Sequence, residues 1–224
     1  MGMTTVGFIG SGRIGSTVAR LSVAAGYTVV LSNSRGPQTL AGLVAELGPL
    51  ARAADGEQAA SEGDLVVVTI PLRAYRSVPA ASVAGKLVID TCNYYPDRDG
   101  QIAELDSGSL TSSELIQRHL AGAHVIKAFN NIFYRHLGSL ARPAGAGDRS
   151  FLPIAGDDAS AKARASAFLD AIGYGSVDAG TLADSWRQQP GTPVYAGVYG
   201  PFSDPAGAPA GEATIRAALA NASR

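Results

Sequence analysis

The chain has 224 residues, 46% of them hydrophobic, which is enough to bury a substantial core in one large domain or in a domain with an appendage. Its 18 basic and 19 acidic side chains are intermixed and give a formal net charge of −1, so nucleic-acid partners and a polybasic membrane anchor are excluded. A single cysteine, Cys92, excludes an internal disulfide and a multi-cysteine metal site; we expect a small buried strand residue and no metal centre.

Apolar, strand-length segments alternate with alanine-rich helical segments, which is typical of a parallel sheet covered by helices on both faces. The sequence predicts six strands, at Thr5–Ile9, Thr28–Leu31, Leu50–Ala53, Leu65–Thr69, Leu87–Asp90 and Val125–Ala128. We predict an α/β fold, a Rossmann doubly wound parallel sheet with the strand order 3-2-1-4-5-6 and its cleft at the carboxyl ends of the first and fourth strands.

Helices are predicted between these strands, at Gly15–Ala25, Thr39–Leu47, Gly56–Ala60, Tyr75–Val83 and Ser113–His119. Ser113 is the predicted cap of the last helix, with Thr111 and Ser112 as alternatives.

The pattern changes after residue 142. A strand at Phe151–Ala155, a helix at Ser160–Ile172 and a segment at 175–180 predict a short C-terminal βαβ extension, with Asp157 and Asp158 at the helix start as cap and first-turn acid. The tail that follows is rich in proline, glycine and aromatic residues, and we expect a covering or exchanging arm. The predicted division is a dinucleotide-binding Rossmann domain at 1–142 and, at 143–224, an extension and tail packed on that same domain.

A GxGxxG motif joins the first strand to the first helix. Gly10 permits a tight turn, Gly12 lets the backbone approach a pyrophosphate, and Gly15 lets the helix pack closely on the strand, while the free N–H groups of the helix start face the phosphates. The predicted dinucleotide-binding residues of this loop are Gly10, Ser11, Gly12, Arg13, Ile14 and Gly15.

The turn after the second strand indicates which dinucleotide. NAD-binding folds usually carry an acidic residue there, about 20 residues after the glycines, to bind the ribose hydroxyls. This chain instead has Ser32, Asn33, Ser34 and Arg35, which offer short donors and a guanidinium to a 2′-phosphate. The residues favour NADP over NAD; the alternative is a polar turn with a solvent-exposed arginine.

With the glycine loop, this turn and Thr69-Ile70-Pro71 in register, the chain resembles the NADP oxidoreductases dependent on coenzyme F420, an 8-hydroxy-5-deazaflavin. The resemblance covers about Val6 to Gly180. It implies a small Rossmann domain with a short extension, in which NADP and the deazaflavin lie face to face and exchange a hydride. No catalytic side chain is then required, because the cofactors carry the chemistry and the protein supplies proximity.

Loops at the ends of three strands are predicted to line the cleft. Thr69, Ile70 and Pro71 should border the nicotinamide ribose and one ring face. Asn93 follows the fifth strand as a second cofactor contact, and Tyr94 there is predicted to bind substrate; the loop's polar and aromatic residues offer a grip on the nicotinamide amide or the acceptor ring.

After the sixth strand, the resemblance implies a deazaflavin-contacting loop. We predict cofactor contacts at Ala128 and Asn130 and substrate contacts at Phe129 and Asn131; the alternative is that the asparagines only satisfy loop backbone groups. The histidines, His119, His124 and His136, are scattered and are expected at the surface or at helix ends.

The favoured function is hydride transfer between NADPH and coenzyme F420. The alternatives are an NADPH-dependent reductase of a small imine, carbonyl or flavin substrate, with Tyr94 or Tyr95 as proton donor, and a non-catalytic NADPH-binding regulatory protein. Tyr195 and Tyr199 are predicted either to pack on each other or to stack on a ligand or subunit.

The sequence also predicts where the protein is located and how it assembles. Apolar runs such as 65–70 are too short for a membrane span, and residues 1–5 lack the charged and apolar regions of a signal peptide, so we expect a cytoplasmic protein. We further expect a homodimer, because small reductases of this kind often need a neighbour to close the cleft.

Overall fold

A computed structural model describes residues 5–224, and these contain one eight-stranded sheet in the order β3-β2-β1-β4-β5-β6-β7-β8. Every neighbouring pair is parallel except β6 and β7, which are antiparallel. The strands are β1 (Thr5–Ile9), β2 (Thr28–Ser32), β3 (Ala51–Ala53), β4 (Leu65–Val68), β5 (Leu87–Asp90), β6 (His124–Lys127), β7 (Phe151–Gly156) and β8 (Gly175–Asp178). The predicted Rossmann fold and the order of its first six strands are confirmed.

Burial on both faces explains the continuous apolar strands. All four residues of β4 are buried, with Val67 in one core cluster and Val66 and Val68 in the other, on opposite faces of the sheet. Strand β4 pairs with β1 in a register that sets Phe8 beside Val67. The switch point therefore lies where β1 and β4 end, and it faces the cleft.

The helices cover this sheet. They are α1 (Arg13–Ala24), α2 (Ala41–Leu47), α3 (Gly56–Glu62), α4 (Pro96–Asp99), α5 (Ala103–Asp106), α6 (Ser112–His119), α7 (Tyr134–Ser139), α8 (Ala159–Ala171) and α9 (Glu212–Ala220). The short helices α4, α5 and α7 were not predicted, because four to six residues hold too little periodic pattern.

The predicted helix at Tyr75–Val83 is wrong. A 3₁₀ helix occupies Leu72–Ser77 instead, and a turn follows. Pro79 lies in the predicted span, where it lacks an N–H and disfavours helical backbone at the residue before it.

The cap of α6 is Thr111 and not Ser113. The Thr111 hydroxyl accepts a hydrogen bond from the N–H of Glu114 at 3.2 Å, and the Glu114 carboxylate accepts the N–H of Thr111 at 2.7 Å, which completes a capping box. Ser113 is buried in the first turn and donates its hydroxyl to Asp90 Oδ2 at 2.7 Å.

The βαβ extension continues the same sheet and core. The ring of Phe168, on α8, meets Phe129 edge-on at 6.5 Å and Tyr27 at 5.5 Å between centroids. Asp158 caps α8 by accepting the N–H of Ala161 at 2.7 Å. The boundary between 142 and 143 stays a prediction, and residues 1–4 of the first predicted segment lie outside the described residues.

The tail folds back over the extension. Two 3₁₀ helices, Leu182–Gln188 and Gly197–Tyr199, precede α9. Tyr199 is fully buried and donates its hydroxyl to the carbonyl of Phe151 at 2.9 Å. The N–H of Phe151 in turn donates to the carbonyl of Ala210. These bonds fix the course of the tail toward the carboxyl ends of the strands.

Candidate functional site

Two adjoining cavities form one cleft at the carboxyl ends of β1, β4, β5 and β6. The first, of about 450 Å³, lies between the glycine loop and the turn after β2. The second, of about 530 Å³, lies over the loops that follow β5 and β6. Gly12 and residues 69–71 line both cavities, so a ligand as long as a dinucleotide can extend from one into the other.

The glycine loop has the geometry that a pyrophosphate requires. Gly10 has φ of +100°, and a Cβ on Gly15 would lie 2.5 Å from both the Gly10 carbonyl oxygen and Thr69 Oγ1. A Cβ on Gly12 would meet no atom within 4 Å, so the space beside it is open. Gly12 is the N-cap of α1 without a side-chain cap, which leaves the first N–H groups of the helix to an anion. These residues fit a dinucleotide.

In the turn after β2, two residues shape the loop and two are exposed. The buried Ser32 donates its hydroxyl to the Phe8 carbonyl at 2.7 Å. Asn33 Oδ1 accepts the N–H of Arg35 at 2.9 Å. Ser34 and Arg35 are exposed beside the first cavity, whose lining includes all four residues. Ser32 and Asn33 therefore position the turn, and Ser34 and Arg35 face any phosphate bound there.

The asparagines that follow β5 and β6 bind each other and the tail. Asn93 Nδ2 donates to the Asn130 carbonyl at 2.8 Å, and Asn130 Nδ2 donates to Asn93 Oδ1 at 3.0 Å and to the Gln188 carbonyl at 2.6 Å. Asn131 Nδ2 donates to the carbonyl of Val194 at 3.1 Å. These amide N–H groups hold the two loops and the tail together.

Strained backbone marks the same loop. Phe129, buried at the end of β6, has φ of +62°, and Ala196 of the tail has φ of +58°. The N–H of Ala196 donates to the Asn131 carbonyl at 2.8 Å. Positive φ outside glycine costs energy and is concentrated at functional sites, and both residues line the second cavity.

Three predicted contacts, Tyr94, Ala128 and Gly15, do not line either cavity. Tyr94 packs on the core and donates its hydroxyl to Asp106 Oδ1 at 2.6 Å, so its side chain points away from the cleft. Ala128 is fully buried beneath the loop. Gly15 packs closely against the Gly10 carbonyl and Thr69, on the side of the loop away from the cavities. The other predicted residues of the glycine loop and of the strand ends line one cavity or both.

A buried ion pair lies under the loops after β5 and β6. Asp90 and Lys127 are register partners, and Lys127 Nζ lies 3.1 Å from Asp90 Oδ2 with both side chains inaccessible. Lys127 also donates to the Cys92 carbonyl. Burial and the nearby Asp90 carboxylate raise the pKa of the Cys92 thiol well above its usual range, so the thiol stays protonated.

The family model for NADP oxidoreductase, coenzyme F420-dependent, matches residues 5–94, which include the glycine loop, the turn after β2 and residues 69–71. A solved structure of a hypothetical protein from Sinorhizobium meliloti is 30% identical, with a TM-score of 0.74, and the alignment covers 87% of this chain and 94% of that one. Residues 5–94 belong to the coenzyme F420-dependent NADP oxidoreductase family.

Other solved structures resemble this oxidoreductase. A protein of Arthrobacter sp. FB24, provisionally named an F420-dependent NADP reductase, is 25% identical with a TM-score of 0.68, covering 83% of this chain and 88% of that one. An imine reductase from Pseudomonas sp. is 16% identical with a TM-score of 0.56, covering 81% of this chain and 57% of that one, and shares the fold. No curated protein matches the sequence.

The family assignment confirms that this protein is an NADP-dependent oxidoreductase, so the alternative of a non-catalytic binding protein is set aside. Within residues 5–224, no helix is long and apolar enough to cross a membrane. Over the same residues, no three His, Cys, Asp or Glu side chains are grouped to hold a metal ion.

Sequence reasoning missed part of the oxidoreductase's second cavity. The lining residues that it did not name are Thr91, Arg98, Phe133, Tyr134, Ala196 and Phe202. Cys92, Tyr95 and Ile132 belong to the predicted cleft loops, and Tyr195 is the residue that was predicted either to pack on Tyr199 or to stack on a ligand. The unnamed residues near the strand ends could have been found by extending the predicted loops by a few residues. The tail residues gave no comparable signal except their aromatic composition.

Proposed function

We propose that this oxidoreductase transfers a hydride between NADPH and coenzyme F420. The observation that carries the proposal is the second cavity, which adjoins the dinucleotide site at residues 69–71 and has aromatic walls that include Phe133, Tyr134 and Tyr195. Its volume, about 530 Å³, suits a flat ligand of several rings. The family assignment and the similarity to the Arthrobacter protein support the same acceptor.

The chain's own residues would bind and align the two ligands. Bound NADPH supplies the hydride. The glycine loop binds the pyrophosphate through its N–H groups, Ser34 and Arg35 bind the 2′-phosphate, and residues 69–71 orient the nicotinamide toward the second cavity. Asn131 lines that cavity, and its Oδ1 is buried without a hydrogen-bond partner among the described residues.

The test is to mix the protein with NADPH and oxidised deazaflavin and to follow the acceptor's visible absorbance. We expect a decay that depends on protein concentration and is lost in Gly12→Ala, in which a methyl group occupies the space beside the phosphates. A wild-type rate equal to the protein-free control would refute the proposed acceptor.

A second candidate is reduction of a small imine, carbonyl or flavin substrate. It is favoured by one observation, the hydroxyl groups of Tyr95 and Tyr195, which lie 2.6 Å apart and belong to residues of the cavity wall. A phenol in that position can donate a proton to a reduced imine or carbonyl. Wild-type turnover of a cyclic imine with no turnover of deazaflavin, and loss of imine turnover in the Tyr95→Phe variant, would favour this candidate.

We also propose that the protein acts as a homodimer. Phe202, at the mouth of the second cavity, has 59% of its surface exposed, and a neighbouring subunit would cover it. Sedimentation at micromolar concentration tests this, and a monomer there would refute it. Cytoplasmic location stays a prediction.

A further inference from the structure

The tail supplies one wall of the second cavity, the proposed site of the acceptor. Tyr195, Ala196 and Phe202 line it, and all three lie outside the residues that the family model matches. The facing wall comes from the loop after β5, through Tyr95 and Arg98. Two segments that are distant in sequence thus enclose the second ligand's space.

A hydrogen bond between hydroxyl groups joins the two walls. The oxygens of Tyr95 and Tyr195 are 2.6 Å apart, and the two residues are separated by 100 positions in the chain. Two phenols that share one hydrogen bond use one proton between them, so the other O–H proton remains free to donate. The pair therefore offers a single donor beside the cavity.

The surroundings hold this pair of tyrosines in place. The Arg98 guanidinium lies 4.8 Å from the centre of the Tyr95 ring and is itself fixed by Asp99 Oδ2 at 2.7 Å. Burial and the hydrogen bond with Tyr95 raise the pKa of Tyr195 above its usual value. At neutral pH the Tyr195 hydroxyl therefore stays protonated.

The backbone of the tail is bent to present Tyr195. Ala196, with φ of +58° and ψ of −51°, is the centre of a γ-turn closed by the Gly197 N–H on the Tyr195 carbonyl at 2.7 Å. Turns of this hand are rare and strained. The bond from the Ala196 N–H to the Asn131 carbonyl, at 2.8 Å, anchors the turn to the cavity floor. Strain kept at this position is consistent with a functional constraint on the neighbouring tyrosine.

We infer that the Tyr95–Tyr195 hydroxyl pair recognises the acceptor, by donating a hydrogen bond to an oxygen or nitrogen of its conjugated ring system. The inference rests on the proposed function. When the acceptor is reduced, a C–H bond of the dihydronicotinamide breaks and a C–H bond forms on the acceptor ring. The electron pair displaced in that ring moves onto a conjugated oxygen or nitrogen, which then takes a proton from solvent. A donor aimed at this atom binds the transition state more strongly than the ground state.

The test compares three single variants that each remove one hydroxyl and keep the ring: Tyr95→Phe, Tyr195→Phe and, as matched control, Tyr94→Phe. The control hydroxyl is also hydrogen-bonded, but to Asp106 and away from the cavity. We expect the first two to lower kcat/KM for deazaflavin by about 10- to 100-fold, mostly in kcat, since a hydrogen bond to a developing charge is lost. The double variant Tyr95→Phe/Tyr195→Phe should lose no more than either single variant, because the pair acts as a unit.

Two further measurements separate the possible failures. NADPH affinity, from fluorescence titration, should not change in any variant, and deazaflavin affinity should fall only in the two cavity variants. If the wild type turns over deazaflavin and Tyr195→Phe matches it, the inference is wrong and the proposed function stands. If the wild type binds deazaflavin without turnover and Tyr195→Phe weakens that binding, the proposed function fails and the inference stands. Absence of wild-type binding overturns both.

Discussion

Replacing Lys127 by methionine tests the buried ion pair beneath the cleft. In the wild type, Asp90 Oδ2 accepts from Lys127 Nζ at 3.1 Å and from the Ser113 hydroxyl at 2.7 Å, while Oδ1 accepts the Cys92 N–H at 2.7 Å. Lys127→Met keeps the apolar stem but leaves a fully buried carboxylate without its counter-ion. We expect the free energy of unfolding to fall by roughly 3–5 kcal/mol, the usual cost of breaking such a pair.

Urea unfolding followed by far-UV circular dichroism measures this change. Lys162→Met is the control, because it removes a lysine from a solvent-accessible pair with Asp178 at 2.7 Å and should cost only about 0–1 kcal/mol. Adding Asp90→Asn to Lys127→Met should recover about 2 kcal/mol, since the amide is neutral and its oxygen still accepts the Cys92 N–H. A loss below about 1 kcal/mol for Lys127→Met would refute the argument that the buried charge is uncompensated.

Three other predictions follow from the site. Gly12→Ala should unfold at the wild-type urea concentration yet fail to bind NADPH in calorimetric titration. Gly15→Ala should unfold at a lower urea concentration, because its methyl group would lie 2.5 Å from the Gly10 carbonyl oxygen. Equal stability of the two variants would contradict this. Arg35→Ala should weaken NADPH binding by about 10- to 100-fold and leave NADH binding unchanged, since only NADPH carries the 2′-phosphate; wild-type NADH binding as tight as NADPH binding would refute the assignment. Cys92 should react with a thiol reagent only after unfolding, because burial raises its pKa and the thiolate is the reactive form; rapid labelling of the native protein would count against its burial.

Local pattern predicted the parts of the fold and site that depend on neighbouring residues. Continuous apolar runs predicted the six Rossmann strands, and the glycine spacing predicted the turn at Gly10 and the open space at Gly12. The helix predicted at Tyr75–Val83 is wrong because the span contains Pro79, which lacks the N–H that a helix interior requires. The choice among Thr111, Ser112 and Ser113 as cap also failed, since three adjacent hydroxyl residues have the same propensity and only Asp90, far away in sequence, binds Ser113.

The sequence by itself determined a Rossmann dinucleotide fold and favoured NADP, because the glycine loop and the Ser32–Arg35 turn act through backbone geometry and side chains within a few residues. Only the tertiary structure decided which neighbour in the Tyr94-Tyr95 pair faces the second cavity. Propensity cannot distinguish two adjacent tyrosines; Tyr94 lies toward Asp106, and Tyr95 faces a tail residue 100 positions away. That contact depends on the antiparallel pairing of β7 with β6 and on the strained turn at Ala196, which together bring the tail back over the cleft.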